Sequence, residues 1–135
     1  MERATARKLI EQLNRDAERL AERFQLRYAS IEAERAGVKS RYGICYSDGL
    51  IKIRLRHAVT GQPLKYSSLV NTLCHELAHL RHFNHGERFK AFYLQILEYA
   101  RREAIYRPRS PGTTPPPPRA PAPPAPTGPQ QLVLL

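Results

Sequence analysis

Leu73-Cys74-His75-Glu76-Leu77-Ala78-His79-Leu80 is the stretch that decides how this chain is read. On an α-helix His75 and His79 sit one turn apart on the same face, so both imidazoles can reach a single zinc ion. Glu76 is turned about 100° from His75. It therefore stands beside such an ion without having to bind it, placed to take a proton from a water there. Leu69, Leu73, Leu77 and Leu80 fall on the opposite face. One side of the helix is built for a core and the other for a site, which incidental histidines on an amphipathic helix do not explain.

A catalytic zinc takes three protein ligands and keeps one position open. His82 shares the face of His75, but seven residues put it roughly 10 Å further along a straight axis. Bonds of about 2.0–2.1 Å cannot span that gap to a common ion. His85 follows a break at Asn84-His85-Gly86, where the chain can turn back, and it is the expected third ligand. His57 is a distant alternative, read as a surface histidine at a strand end. Cys74 and Cys45 read as small core residues rather than soft ligands.

Working outward, Leu9, Leu13, Ala17, Leu20 and Phe24 recur at helical spacing and predict an N-terminal helix from Ala4 to about Tyr28. Arg41 to Tyr46, the Ser47-Asp48-Gly49 turn and Leu50 to Arg56 predict a β-hairpin. In its second strand Ile51, Ile53 and Leu55 face one way and Lys52, Arg54 and Arg56 the other. That strand is also a candidate edge for pairing with a peptide. Gly61 and Pro63 mark a loop, and Ser67 or Ser68 is the expected cap of the histidine helix, which runs to about His82. A last helix starts near Glu87, with Phe89, Phe92, Tyr93, Ile96, Leu97 and Ala100 as its stripe. The fold class expected is α+β: a small zincin-like domain of N-terminal helix, short antiparallel sheet, HExxH helix and C-terminal helix.

Residues 9 to about 98 resemble the SprT-like metallopeptidases and their relatives, the WLM and YgjP-like families. The resemblance rests on His75-Glu76-Leu77-Ala78-His79-Leu80 followed by Asn84-His85-Gly86-Glu87-Arg88-Phe89. Lys39-Ser40-Arg41-Tyr42-Gly43, the hairpin and Tyr66 support it more loosely. It implies that the histidine of the HGxxF-type segment, here His85, is the third zinc ligand. It also implies a helix and a small antiparallel sheet around the zinc helix. The cysteine-rich zinc ribbon of several SprT-like proteins has no counterpart downstream. Eukaryotic members cut proteins crosslinked to DNA, and without that module this substrate is not carried over. No methionine follows Met1, so the Met-turn of the metzincins is absent.

Composition bounds the rest. Eleven of the twelve prolines lie between Pro108 and Pro129, which divides the chain into a metallopeptidase domain over 1–106 and a disordered proline-rich tail over 107–135. Such a tail is either passive or a polyproline II ligand for an SH3-like partner. No apolar stretch approaches the roughly 20 residues that span a bilayer. The charged start differs from a signal peptide, and two cysteines make no disulfide framework, so a reduced, cytoplasmic monomer is expected. The net charge is +10, and six basic residues against Asp48 alone lie between Arg35 and Arg56. A weak, sequence-tolerant contact with nucleic acid through Lys52, Arg54 and Arg56 is a second expectation.

The chemistry expected is zinc-dependent hydrolysis of a protein or peptide substrate, that of an HExxH metalloendopeptidase. Zn2+ is held by His75, His79 and His85, and Glu76 acts as general base. Tyr66, Arg81 and Arg88 are candidates for oxyanion contacts by chemistry alone. The competing reading is a zinc-stabilised, nucleic-acid-associated binding module with little or no peptidase activity. Glu76 argues against it, since a structural zinc has no use for an unligated acid at that position.

Overall fold

The computed structural model describes residues 2–108. The elements run α1 (Arg3–Phe24), β1 (Ser30–Ala33), β2 (Gly43–Cys45), β3 (Leu50–Ile53), α2 (Tyr66–His79) and α3 (Glu87–Arg102). From residue 109 onward the tail lies outside the described residues, and with it the expectation of disorder.

The stripe of α1 buries Leu13, Ala17 and Leu20 completely. The helix ends at Phe24, four residues earlier than its periodicity suggests. Gln25 adopts the left-handed conformation (φ 58°, ψ 48°), and its N–H and that of Leu26 return to the last turn. At the hairpin, Gly49 has φ 95°, and its turn is closed by Gly49 N–H to Tyr46 O and by Leu50 N–H to Asp48 Oδ1.

The sheet is mixed rather than a bare hairpin. β2 pairs antiparallel with β3, setting Gly43 opposite Ile53, and β1 pairs parallel with β3, setting Ile31 opposite Ile51. The order is β1-β3-β2. β3 is therefore central, with both its edges taken, which corrects the expectation that it offers an edge to a peptide. β2 lies at an edge instead. β1 was not expected, because four residues with one bulky apolar side chain carry no readable period.

The basic ladder is also corrected. β3 ends at Ile53, and the Arg54 side chain folds inward, 8% exposed. Its guanidinium covers the Tyr42 ring at 4.5 Å and donates to the carbonyls of Lys39, Arg41 and Arg56. Charge-assisted bonds to three carbonyls and an aromatic face replace the water it loses. Arg41 is likewise taken, by Glu34 at 2.7 Å. Only Lys52 and Arg56 of the three remain as half-buried cations. Arg54→Ala is accordingly expected to cost about 1–3 kcal/mol by freeing three carbonyls and a buried site, read as a fall in the urea midpoint. A midpoint equal to that of the parent would show that the clamp contributes nothing.

α2 lies at the centre, touching α1, α3, β2 and β3. It is buried on every side from Leu73 to His79, so the face expected to be open for chemistry is covered as well. The anticipated serine cap is absent. The helix begins at Tyr66 after Lys65, without a side-chain cap, and Tyr66 Oη instead donates to Asp16 Oδ2 of α1 at 2.6 Å. Its regular part ends at His79, and Leu80, Arg81 and His82 continue only as turn bonds to Leu77 and Ala78. Phe89, Phe92, Ile96 and Ala100 of α3 close the core from the other side. Among the described residues no helix is long and apolar enough to cross a membrane.

Candidate metal centre

The last turns of α2 and the segment that leads into α3 bring His75, His79 and His85 together. Each offers one ring nitrogen, and these three atoms lie within 4.8 Å of one another. His79 Nε2 and His85 Nε2 are 3.0 Å apart. A tetrahedral zinc with bonds of about 2.0–2.1 Å sets its nitrogens roughly 3.3 Å from each other, so this pair already has a coordinating separation. The donor set fits the ion.

The tautomer of His79 follows from its neighbour. Its Nδ1 is 3.0 Å from the backbone oxygen of His82. A carbonyl only accepts, so Nδ1 carries the proton and Nε2 keeps its lone pair for a metal. Burial first, and then the nearby His75, push the His79 pKa down to about 3. Burial and His75 lower that of His85 too. Both rings are held in the neutral form that a metal binds.

Phe89 is the platform under the cluster. Its ring stacks on His79 at 4.4 Å and meets His75 at 4.9 Å and His85 at 5.0 Å edge-on. Tyr93 stacks on Phe89 and also approaches His75, while its hydroxyl donates to Asn71 Oδ1 on α2. From the helical stripe alone Phe89 and Tyr93 read as core, and Phe89 otherwise enters only as the last residue of the HGxxF-type segment. The available signal was spacing along α3, where Phe89 and Tyr93 are four residues apart and so share a face.

Glu76 is 2% exposed, with Oε2 at 3.3 Å from His75 Nδ1. Its Oε1 is buried and has no hydrogen-bond partner among the described residues. A buried carboxylate oxygen left unmatched is costly, and this one lies on the residue next to His75 of the cluster.

The other candidates are placed elsewhere. The His82 ring packs on Phe92, and only its backbone serves the cluster. His57 Nδ1 accepts from the N–H groups of Val59 and Thr60, closing a surface turn. Tyr66 is held by Asp16. Arg81 donates to the Phe24 carbonyl and covers the Phe92 ring, and Arg88 is exposed. Cys74 is fully buried with its pKa raised by burial. Burial, then Glu76 and Asp48, push the Cys45 thiol up to about 12, so both thiols stay protonated.

The family model for the YgjP-like metallopeptidase domain matches residues 1–104. The chain belongs to this family. The YgjP-like domain also shares its fold with solved structures of Wss1. Wss1 from Saccharomyces cerevisiae superposes with a TM-score of 0.62 at 18% identity, covering 71% of this chain and 79% of that one. A mutant of the same protein gives 0.67 at 17% identity, covering 78% and 87%. A mutant of Wss1 from S. pombe gives 0.62 at 19% identity, covering 72% and 86%. No curated relative matches the chain by sequence. In this YgjP-like domain α2 packs against β2, and Glu76 is the member of the cluster that lies close to Gly43 of that strand.

Proposed function

We propose that this YgjP-like domain is a zinc-dependent metalloendopeptidase of the HExxH type. His75, His79 and His85 hold the ion, and Glu76 is the general base. The observation that carries the reading is the convergence of three imidazole nitrogens within 4.8 Å beside a buried carboxylate with an unmatched oxygen. Bound there, zinc supplies a Lewis acid that acidifies water and polarises the scissile carbonyl. Glu76 accepts the proton as the water attacks and passes it to the leaving amine. His79 stays oriented through its bond to the His82 carbonyl, and Phe89 keeps the three rings from turning away. The substrate proposed is a protein or peptide, the class that a metallopeptidase domain acts on.

The purified chain is expected to hold close to one zinc per molecule and to cleave an unfolded protein substrate. Chelation should stop cleavage, and added zinc should restore it. Metal-free protein with full activity would sink the proposal. The alternative of a nucleic-acid-associated module loses ground with the burial of Arg54, since its basic face keeps only Lys52 and Arg56.

A further inference from the structure

Gly43 is a glycine that its backbone conformation does not require. The glycines with positive φ are Gly49 and Gly61, and Gly43 is not among them. Space is what excludes a side chain. A Cβ on Gly43 would stand 2.7 Å from Thr72 Cγ2 and 3.2 Å from both Cγ and Oε2 of Glu76. Thr72 and Glu76 are four residues apart, hence neighbours on one face of α2, and both are buried. Thr72 is β-branched and stiff in a helix, so it cannot swing clear cheaply. At Gly86, by contrast, an added Cβ would meet nothing within 4 Å.

We propose that Gly43 is a positioning residue for Glu76: the bare backbone of β2 lies against the carboxylate and holds it beside the histidine cluster. The inference rests on the peptidase reading, in which Glu76 is the base. Among the described residues Oε1 has no hydrogen-bond partner and Oε2 has only His75 Nδ1 at 3.3 Å, so close packing against β2 limits how far the carboxylate can turn. Any Cβ at position 43 pushes on Oε2, the oxygen nearest His75.

The full chain tests this through its kinetics, its metal content and its melting temperature. Gly43→Ala should keep its zinc and its KM and lose about 10²-fold in kcat, the penalty of an ångström-scale misplacement. Thr72→Ser deletes Cγ2, the closest obstacle, and leaves both Glu76 contacts in place. Added to Gly43→Ala, it should restore most of the melting temperature, all but the part that the two Glu76 contacts cost, and leave kcat low. Parental kcat in Gly43→Ala, or kcat regained together with stability in the double variant, overturns the proposal. If Gly43→Ala alone does not fold, the double variant carries the kinetic test. A second readout needs no activity. In the Thr72→Ser background, Gly43→Ala should lower the melting temperature less once Glu76→Ala is also present. Equal losses with and without Glu76→Ala overturn the contact. An inactive parent chain overturns the peptidase reading and is seen before any variant is made, and the melting-temperature cycle still decides whether Gly43 presses on Glu76.

Discussion

Glu76→Gln is expected to fold and to bind zinc like the parent chain while losing roughly 10²–10⁴-fold in peptidase rate, the usual contribution of general-base assistance. The amide keeps the size of a side chain that is 2% exposed and closely packed against Gly43 and Thr72, so packing should survive. What disappears is the ability to accept a proton. The three converging nitrogens belong to histidines alone, so metal content should not change. Steady-state kinetics alongside metal analysis reads both. Zinc lost with the carboxylate would make Glu76 a structural part of the centre. Cleavage at the parental rate would place the chemistry elsewhere.

His85→Ala is expected to abolish stoichiometric zinc binding, whereas His82→Ala should leave it intact. Disturbing an outer-shell partner alone typically costs about 10–100-fold in metal affinity, and removing one of three ligands should exceed that. His82 makes the sharper control. Its contribution to the cluster is the backbone oxygen that accepts from His79 Nδ1, and alanine retains it. His82→Ala loses only the ring packed on Phe92, a modest matter of stability. Competition titration with a chromogenic chelator separates the variants. Zinc retained in His85→Ala and lost in His82→Ala would reverse the assignment.

The helices were readable because each has an apolar stripe long enough to establish a period. α1 differs from expectation at its end, where Gln25 turns left-handed, and α2 at both of its ends, where no serine caps it and its regular part stops at His79, while α3 starts at Glu87 as expected. The hairpin was readable from Asp48-Gly49, whose turn chemistry is local. β1 was not, because a short parallel strand is defined by the partner it finds and not by its own four residues. The same cause misdirected the reading of Arg54. Alternation along Leu50 to Arg56 assigns it outward, but pairing stops at Ile53, and the side chain then folds onto Tyr42 and the carbonyls around it. Tyr66 and Arg81 stood as oxyanion candidates by chemical type, yet their hydroxyl and guanidinium are bonded to Asp16 and Phe24 of α1 and its end.

Sequence alone determined that His75 and His79 share a helix face with Glu76 beside them, since a fixed rise and turn per residue leave no other arrangement. The pairing of His79 with His85 depends instead on where α2 stops and α3 begins, which turns the chain back between Leu80 and Gly86. Only tertiary packing placed Phe89 against all three rings and laid the backbone of β2 on Glu76. Those contacts join segments that have no register with one another along the chain. Their geometry is set by the closing of the core around α2, and a glycine at position 43 has physical meaning only once that helix lies against it.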